Sequence, residues 1–110
     1  MKVLFDQGTP APLRNELEDH DVSTAHEMGW SMLENGALLA EAEKFEFDVF
    51  VTTDRNLQYQ QNLSDRKISI VVISTTSWPR IKAVSNLVVG AIREASDNSF
   101  VEIEIPQKSS

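Results

Sequence analysis

The chain contains no cysteine among its 110 residues, which excludes disulfide scaffolds, thiolate zinc sites and cysteine nucleophiles. Glycine and proline are also scarce, with four of each, and no linker or low-complexity segment interrupts the sequence. The hydrophobic runs are far too short to cross a bilayer. Because the acidic Asp6 directly follows Val3-Leu4-Phe5, the N-terminus predicts no signal peptide, and we expect a cytoplasmic protein.

Positive charge is scarce in the first half of the chain. Residues 1–50 hold three Lys or Arg against eleven Asp or Glu, whereas residues 51–110 hold seven against six. This balance argues against a protein that coats nucleic acid by bulk attraction. A polyanionic substrate would need a bound metal or a local basic rim, for which Arg55, Arg80 and Lys82 are candidates. The alternative interpretation is that these cations are scattered over the surface.

The length predicts one domain over residues 1–106, followed by a frayed tail at 107–110. Short apolar runs, typical of strands, alternate with helical patterns. The strands are expected at residues 2–5, 21–24, 48–53, 68–74 and 100–105. This alternation predicts an α/β fold: a three-layer α/β/α Rossmann-like sandwich with a mainly parallel sheet of four to five strands. The last strand alternates apolar and charged residues, which is typical of an exposed sheet edge.

Four segments have helical patterns. They lie near residues 10–20, 36–45, 54–63 and 79–95, and the last contains Gly90 as a weak point. Asn35 is a candidate N-cap of the second helix. Its predicted apolar stripe consists of Leu38, Leu39, Ala42 and Phe45.

Two aspartates stand where two predicted strands end. Asp6 follows the first strand and Asp54 follows the third. If these strands are neighbours, in an order such as 2-1-3-4-5, both carboxylates face one crevice at the carboxyl edge of the sheet. Mg²⁺ and Mn²⁺ take oxygen ligands, and one or two direct carboxylates suffice. The pair therefore predicts a divalent cation site, although each aspartate could instead cap the helix that follows its strand.

Further oxygen ligands for this site could come from the second helix or the connection before it. Glu41 is the first choice for a third carboxylate, ahead of Glu27 and Glu34. The alternative for each is a solvated charged surface. Asn35 could supply an amide oxygen, with helix capping as its competing role.

Three segments carry a family resemblance: VLFDQGTPAPL, NGALLAEAEKF and DVFVTTDRNL, which begin at residues 3, 35 and 48. Together they resemble the PIN-like nuclease superfamily, and more closely its small uncharacterised bacterial branch, grouped with toxin components of toxin–antitoxin systems. The resemblance implies a Rossmann-like sandwich and hydrolysis of RNA phosphodiesters that depends on Mg²⁺ or Mn²⁺. Asp6 matches the family's acidic residue after the first strand, and Asp54 matches the acidic residue of its Thr-x-Asp motif.

The chain departs from the family pattern at three amide residues. Asn35 and Asn56 stand where relatives often have aspartate, and Gln7 stands where near relatives often have glutamate. Amide oxygens bind cations more weakly than carboxylates. As substrate-binding residues we expect Arg55 and Arg80 near a flanking phosphate, with Asn56 as a weaker candidate. The implied partners are single-stranded RNA and an antitoxin protein.

Two other functions remain open at this point. One is a PIN-like fold that has lost catalysis and binds RNA or protein. The other is a phosphoacceptor receiver-like domain, but Asp6-Gln7 is a poor match to such a domain's acidic pair, and Lys108 is a poor match to its lysine. The last strand could pair with a second copy or with an antitoxin peptide. His20 and His26 lack metal-ligand spacing and are expected in surface or core roles.

Overall fold

A computed structural model of the chain describes residues 1–57, 67–95 and 99–106 and places five strands in one parallel sheet. The strands are β1 Lys2–Phe5, β2 Asp21–Thr24, β3 Val49–Thr52, β4 Ser69–Ile73 and β5 Phe100–Ile103. Their order is β2-β1-β3-β4-β5, and every neighbouring pair is parallel. The predicted adjacency of the first and third strands is therefore confirmed.

The central strands are buried on both faces, as expected of a parallel sheet covered by helices. Side chains alternate along each strand, so that Phe5 and Val51 face one core while Leu4 and Phe50 face the other. The first core also contains the buried Leu13, Ile81, Val88 and Ile92. The second contains Leu38, Leu39 and Ala42.

Helices cover both faces of the sheet. Helix α1, Asn35–Lys44, packs its buried leucines into the second core, beside the half-buried Trp30. A 3₁₀ helix at Ala11–Glu16 lies against the other face together with α2, Trp78–Ala83, and α3, Ser85–Arg93. The molecule thus has three layers, and the predicted α/β Rossmann-like class is confirmed.

Two helix predictions need correction. The helix expected over residues 79–95 is divided at Val84, whose φ of −127° and ψ of 31° are not helical, whereas Gly90 lies inside α3. The turn at this β-branched residue allows Ile81 and Val88 to reach the same core. Phe45 is 45% exposed instead of completing the buried stripe, because α1 ends at Lys44 and Phe45 follows it as the C-cap. Its ring packs against Trp30 at 5.3 Å between ring centroids.

Strand β5 lies at an edge of the sheet, as its alternating pattern predicts. Its Val101 is 37% exposed, and Ile105, just beyond the strand, is buried. Most of the helix predicted at 54–63 and the tail predicted at 107–110 lie outside the described residues. Within the described ranges, no helix is both long and apolar enough to span a membrane.

Candidate functional site

The register of β1 and β3 brings the two aspartates to one place. Phe5 lies opposite Val51 in this parallel pair, and the Asp6 backbone N–H donates to the Val51 carbonyl at 3.0 Å. Asp6 therefore follows β1 at the position beside Thr52, and Thr52 lies two residues before Asp54 in the sequence. The crevice expected at this edge follows from the strand order.

The Asp6 carboxylate is held by two threonines. Its Oδ1 accepts hydrogen bonds from the Thr9 backbone N–H at 3.0 Å and from the Thr9 hydroxyl at 2.7 Å. Its Oδ2 accepts from the hydroxyl of Thr52. Thr9 and Thr52 are both buried, so these donors are fixed in position. The side chain of Asp6 thus has a defined direction at the sheet edge.

Thr52 connects the two aspartates through one hydroxyl. Its Oγ1 donates to Asp6 and accepts from the Asp54 backbone N–H at 3.1 Å. The residue is fully buried, at 0% exposure, although it is polar and ends an apolar strand. Sequence reasoning assigned Thr52 no role. A hydroxyl residue as the last buried position before a strand-end aspartate is the signal that could have indicated it.

The Asp54 carboxylate accepts one hydrogen bond from its own loop and one from α1. The Asn56 backbone N–H donates to Oδ1 at 3.0 Å, and the Asn35 Nδ2 donates to Oδ2 at 2.6 Å. The capping role predicted for Asn35 is wrong, because this residue opens α1 after Glu34 and its amide reaches Asp54. Asn35 therefore belongs to the site, as a donor to the carboxylate in this arrangement.

The two arginines expected at the substrate have protein partners. Arg55 lies beside Asp54 in sequence, but its Nη2 is 2.8 Å from Glu104 Oε1 and 3.4 Å from Glu102 Oε2. Arg80 donates to Thr75 Oγ1 at 3.2 Å and to the carbonyls that follow β5. Both guanidinium groups are near the carboxyl edge of the sheet, where all three nitrogens of Arg80 have partners and Arg55 is paired through Nη2.

Within the described chain, Glu41 makes no contact that brings its side chain toward Asp6 or Asp54. A rise of about 1.5 Å per residue places it about 9 Å further along α1 than Asn35, away from the carboxyl edge. Among residues 1–57, 67–95 and 99–106, no group of three or more His, Cys, Asp or Glu side chains is placed to hold a metal ion. Asp6 and Asp54 are thus the acidic core of the candidate site, and Glu41 stays a prediction.

An open cleft of about 560 Å³ adjoins Asp6. One wall continues from β1 through Gln7 to Ala11, and the opposite wall follows β2 through His26 to Met32. The Gln7 amide donates to the Ser31 carbonyl and joins the two walls. His26 is exposed in this cleft, a placement that neither its spacing nor its neighbours in sequence indicated. The cleft gives a ligand access to the Asp6 side of the site.

An ion pair fixes the base of the second wall. Arg14 Nη1 donates to Glu27 Oε2 at 3.0 Å, Nη2 contacts Oε1, and the Thr24 backbone N–H donates to Oε1 at 3.0 Å. The hydrogen bond from Arg14, followed by that from Thr24, lowers the pKa of Glu27 from 4.5 to about 2. The same pair raises the pKa of Arg14.

Replacing Glu27 with glutamine should make the free energy of unfolding depend less on pH in the acid range. Below pH 4.5 the unfolded carboxyl takes up a proton, whereas the folded one stays ionised until about pH 2. The stabilisation is therefore complete above pH 4.5 and is lost as the pH falls toward 2. Urea unfolding at several pH values should show a Glu27→Gln deficit that is largest at neutral pH and shrinks below 4.5. Glu16→Gln, at an exposed position, is the matched control. A deficit independent of pH would contradict this role for the pair.

Gly8 lies where a side chain would collide with Thr53, the residue before Asp54. An added Cβ would lie 2.5 Å from Thr53 Oγ1 and 3.7 Å from Asp6 Oδ1. We expect Gly8→Ala to lower the free energy of unfolding by about 1–3 kcal/mol, the usual cost of overpacking. Because the short contact involves only the Thr53 hydroxyl, Thr53→Ala should restore most of the loss in the double variant. Strictly additive effects in urea unfolding would show that the contact is not the cause.

Comparison with protein families, with curated proteins and with solved structures found no match to this chain. The resemblance to PIN-like nucleases therefore stays a prediction. Any functional interpretation depends on the geometry around Asp6 and Asp54, with the fold setting their positions.

Proposed function

We propose that this protein is a metal-dependent ribonuclease that hydrolyses phosphodiesters of single-stranded RNA in the cytoplasm. The observation that supports the proposal most is the hydroxyl of Thr52, which joins the Asp6 carboxylate to the Asp54 backbone at the carboxyl ends of adjacent strands. This edge is where parallel α/β sheets bind their ligands.

The donor set suits a hard divalent cation. Asp6 and Asp54 would hold Mg²⁺ or Mn²⁺ with water completing the coordination, and a rotation of the Asn35 amide would offer its oxygen in place of its nitrogen. When bound, the ion supplies an activated water and neutralises charge that develops on the phosphate. An ion also offsets the repulsion between this acidic chain and RNA.

Arg55 and Arg80 remain the proposed phosphate-binding residues. The nearer partner of Arg55, Glu104, is exposed, and exposed ion pairs contribute only about 0–1 kcal/mol; Glu102 is half-buried and further away, at 3.4 Å. Exchange of these carboxylates for an RNA phosphate therefore costs little. Arg80 is held by neutral oxygens and keeps its positive charge available to a nearby anion.

The proposal is tested with purified protein and a labelled single-stranded RNA. Cleavage is expected with Mn²⁺ or Mg²⁺ and should stop when EDTA is added. Asp6→Asn and Asp54→Asn, prepared in parallel, exclude a contaminating nuclease. The proposed activity would be contradicted if the wild-type protein cleaved the RNA with neither Mn²⁺ nor Mg²⁺, or if cleavage persisted in both variants.

A role as the toxin component of a toxin–antitoxin pair follows from the family resemblance. Expression of an active ribonuclease of this kind should arrest bacterial growth, and Asp54→Asn should relieve the arrest. Growth that is unaffected by the wild-type protein would remove the toxin role without affecting the enzymatic assay.

A second candidate is a PIN-like module that binds RNA or protein without catalysis. Two features favour it. Asn35 and Asn56 are amides and not carboxylates, which leaves few ligands for a cation. Arg55 is paired with Glu102 and Glu104, which leaves few groups to bind a phosphate. Titration with Mn²⁺ discriminates the two functions. The binding module predicts no specific cation site, whereas the ribonuclease requires one.

A further inference from the structure

Both site carboxylates are occupied as hydrogen-bond acceptors. Asp6 accepts from Thr9 and Thr52, and Asp54 accepts from Asn35 and from the backbone N–H of Asn56. These donors use part of each carboxylate's lone-pair capacity, and the remaining lone pairs are the ones that a cation would use. Hydrolysis of a phosphodiester also needs a proton for the departing ribose oxygen, and neither carboxylate is arranged to give one.

His26 is the side chain in the adjoining cleft that suits proton transfer. An imidazole ring can both give and take up a proton, because it has two nitrogens that serve as donor or acceptor. His26 and Asp6 line the same cleft, and the other lining residues include Thr9, Thr24 and Ser31. The His26 side chain is exposed and makes no hydrogen bond or ion pair with the part of the chain that the structure describes. It is therefore free to contact a ligand.

The backbone on both sides of His26 is held in place. The N–H of the buried Ala25 donates to the carbonyl of Phe5 at 2.8 Å, one residue before Asp6. On the other side, the Glu27 N–H donates to Thr24 Oγ1 at 3.1 Å while the Glu27 carboxylate binds Arg14 and the Thr24 N–H. These contacts fix the position of His26 relative to Asp6, although its ring is free.

We propose that His26 is the general acid of the site, which rests on the proposed ribonuclease function. As a water oxygen forms its bond to phosphorus, the bond between phosphorus and the leaving ribose oxygen breaks, and its electron pair stays on that oxygen. The imidazolium of His26 gives this oxygen a proton and becomes neutral. The neutral His26 ring then takes a proton from solvent, and solvent accepts the proton that the attacking water loses. Arg14 and Glu27 act as positioning residues for this step.

The test compares an oxygen with a sulfur leaving group. After the scissile linkage has been mapped, it is remade in an oligonucleotide with a 2′-deoxy residue and a bridging sulfur at the 3′ or the 5′ position. A thiolate departs without a proton. His26→Gln should therefore cleave the oxygen linkage about 10²–10⁴-fold more slowly than wild type, the usual contribution of a general acid. When sulfur occupies the leaving position, the variant should cleave at a rate close to that of wild type.

His20→Gln is the matched control, because His20 directly precedes β2 and so lies at the amino ends of the strands, away from the site. Its Nδ1 is 3.4 Å from the Met1 amino nitrogen. It should cleave both linkages like wild type. Mn²⁺ affinity and thermal unfolding of His26→Gln should match wild type, which separates proton transfer from loss of the cation site or the fold.

Each other outcome overturns the role of His26. Equal slowing of both linkages would indicate that His26 only binds substrate, and an unchanged rate on the oxygen linkage would remove it from the reaction. If the wild type cleaves neither linkage with any metal, the ribonuclease function itself fails and this role fails with it.

Discussion

Substitution of Asp6 or Asp54 by asparagine should reduce metal-dependent RNA cleavage by more than about 100-fold. Loss of a residue that merely orients a metal ligand typically costs about 10–100-fold, so loss of a direct ligand should exceed this range. The amide keeps the size of the side chain and removes its negative charge. Initial cleavage rates at a Mn²⁺ concentration that saturates the wild-type protein provide the measurement.

The asparagine variants should remain folded. In Asp54→Asn, Oδ1 can still accept from the Asn56 N–H, and rotation of the Asn35 amide restores its bond to the new NH₂ group. In Asp6→Asn, Oδ1 still accepts from Thr9, while the Thr52 hydroxyl must turn to accept instead of donate. Thermal unfolding of both variants is the control. Full activity in either variant would exclude that aspartate from the reaction.

Replacing Thr52 with valine should impair both the site and the fold. Valine has nearly the same shape but removes the hydroxyl that donates to Asp6 and accepts from the Asp54 N–H. Because Thr52 is fully buried, these groups lose a partner that water does not readily replace. We expect a loss of about 1–3 kcal/mol in the free energy of unfolding. Cation affinity or activity should fall by about 10–100-fold, as for other groups that orient metal ligands.

Thr53→Val is the matched control for this substitution. The Thr53 hydroxyl makes no hydrogen bond with any described residue, and the side chain is half-buried. Its replacement should change the unfolding free energy by less than about 0.5 kcal/mol. Equal effects of Thr52→Val and Thr53→Val in urea unfolding and cleavage would show that the bridge through Thr52 does not organise the site.

The sequence predicted the sheet well because its strands carry strong local signals. The run that ends at Thr52 is apolar and β-branched, and β3 is buried at every position. Right-handed parallel connections then bring the carboxyl ends of all strands to one edge. The shared position of Asp6 and Asp54 followed from these two facts, together with the assumption that β1 and β3 are neighbours.

Side-chain pairing across the fold could not be predicted in the same way. Asn35 has the residue type and position of a helix cap, yet its amide reaches Asp54 because the start of α1 meets the loop after β3. Arg55 is next to Asp54 in sequence, but Glu102 and Glu104 approach it from the loop and strand at the far edge. Such partners are separated by 19 to 49 residues, and no local pattern specifies them.

Calorimetric titration with Mn²⁺ tests most directly whether Asp6 and Asp54 form one cation site. The wild-type protein should bind a single specific ion, and Asp6→Asn and Asp54→Asn should each abolish that binding while remaining folded. The Thr52→Val variant should bind more weakly, and Thr53→Val should bind like wild type. No saturable binding to the wild-type protein, or binding that survives both aspartate substitutions, would contradict a shared site at this edge of the sheet.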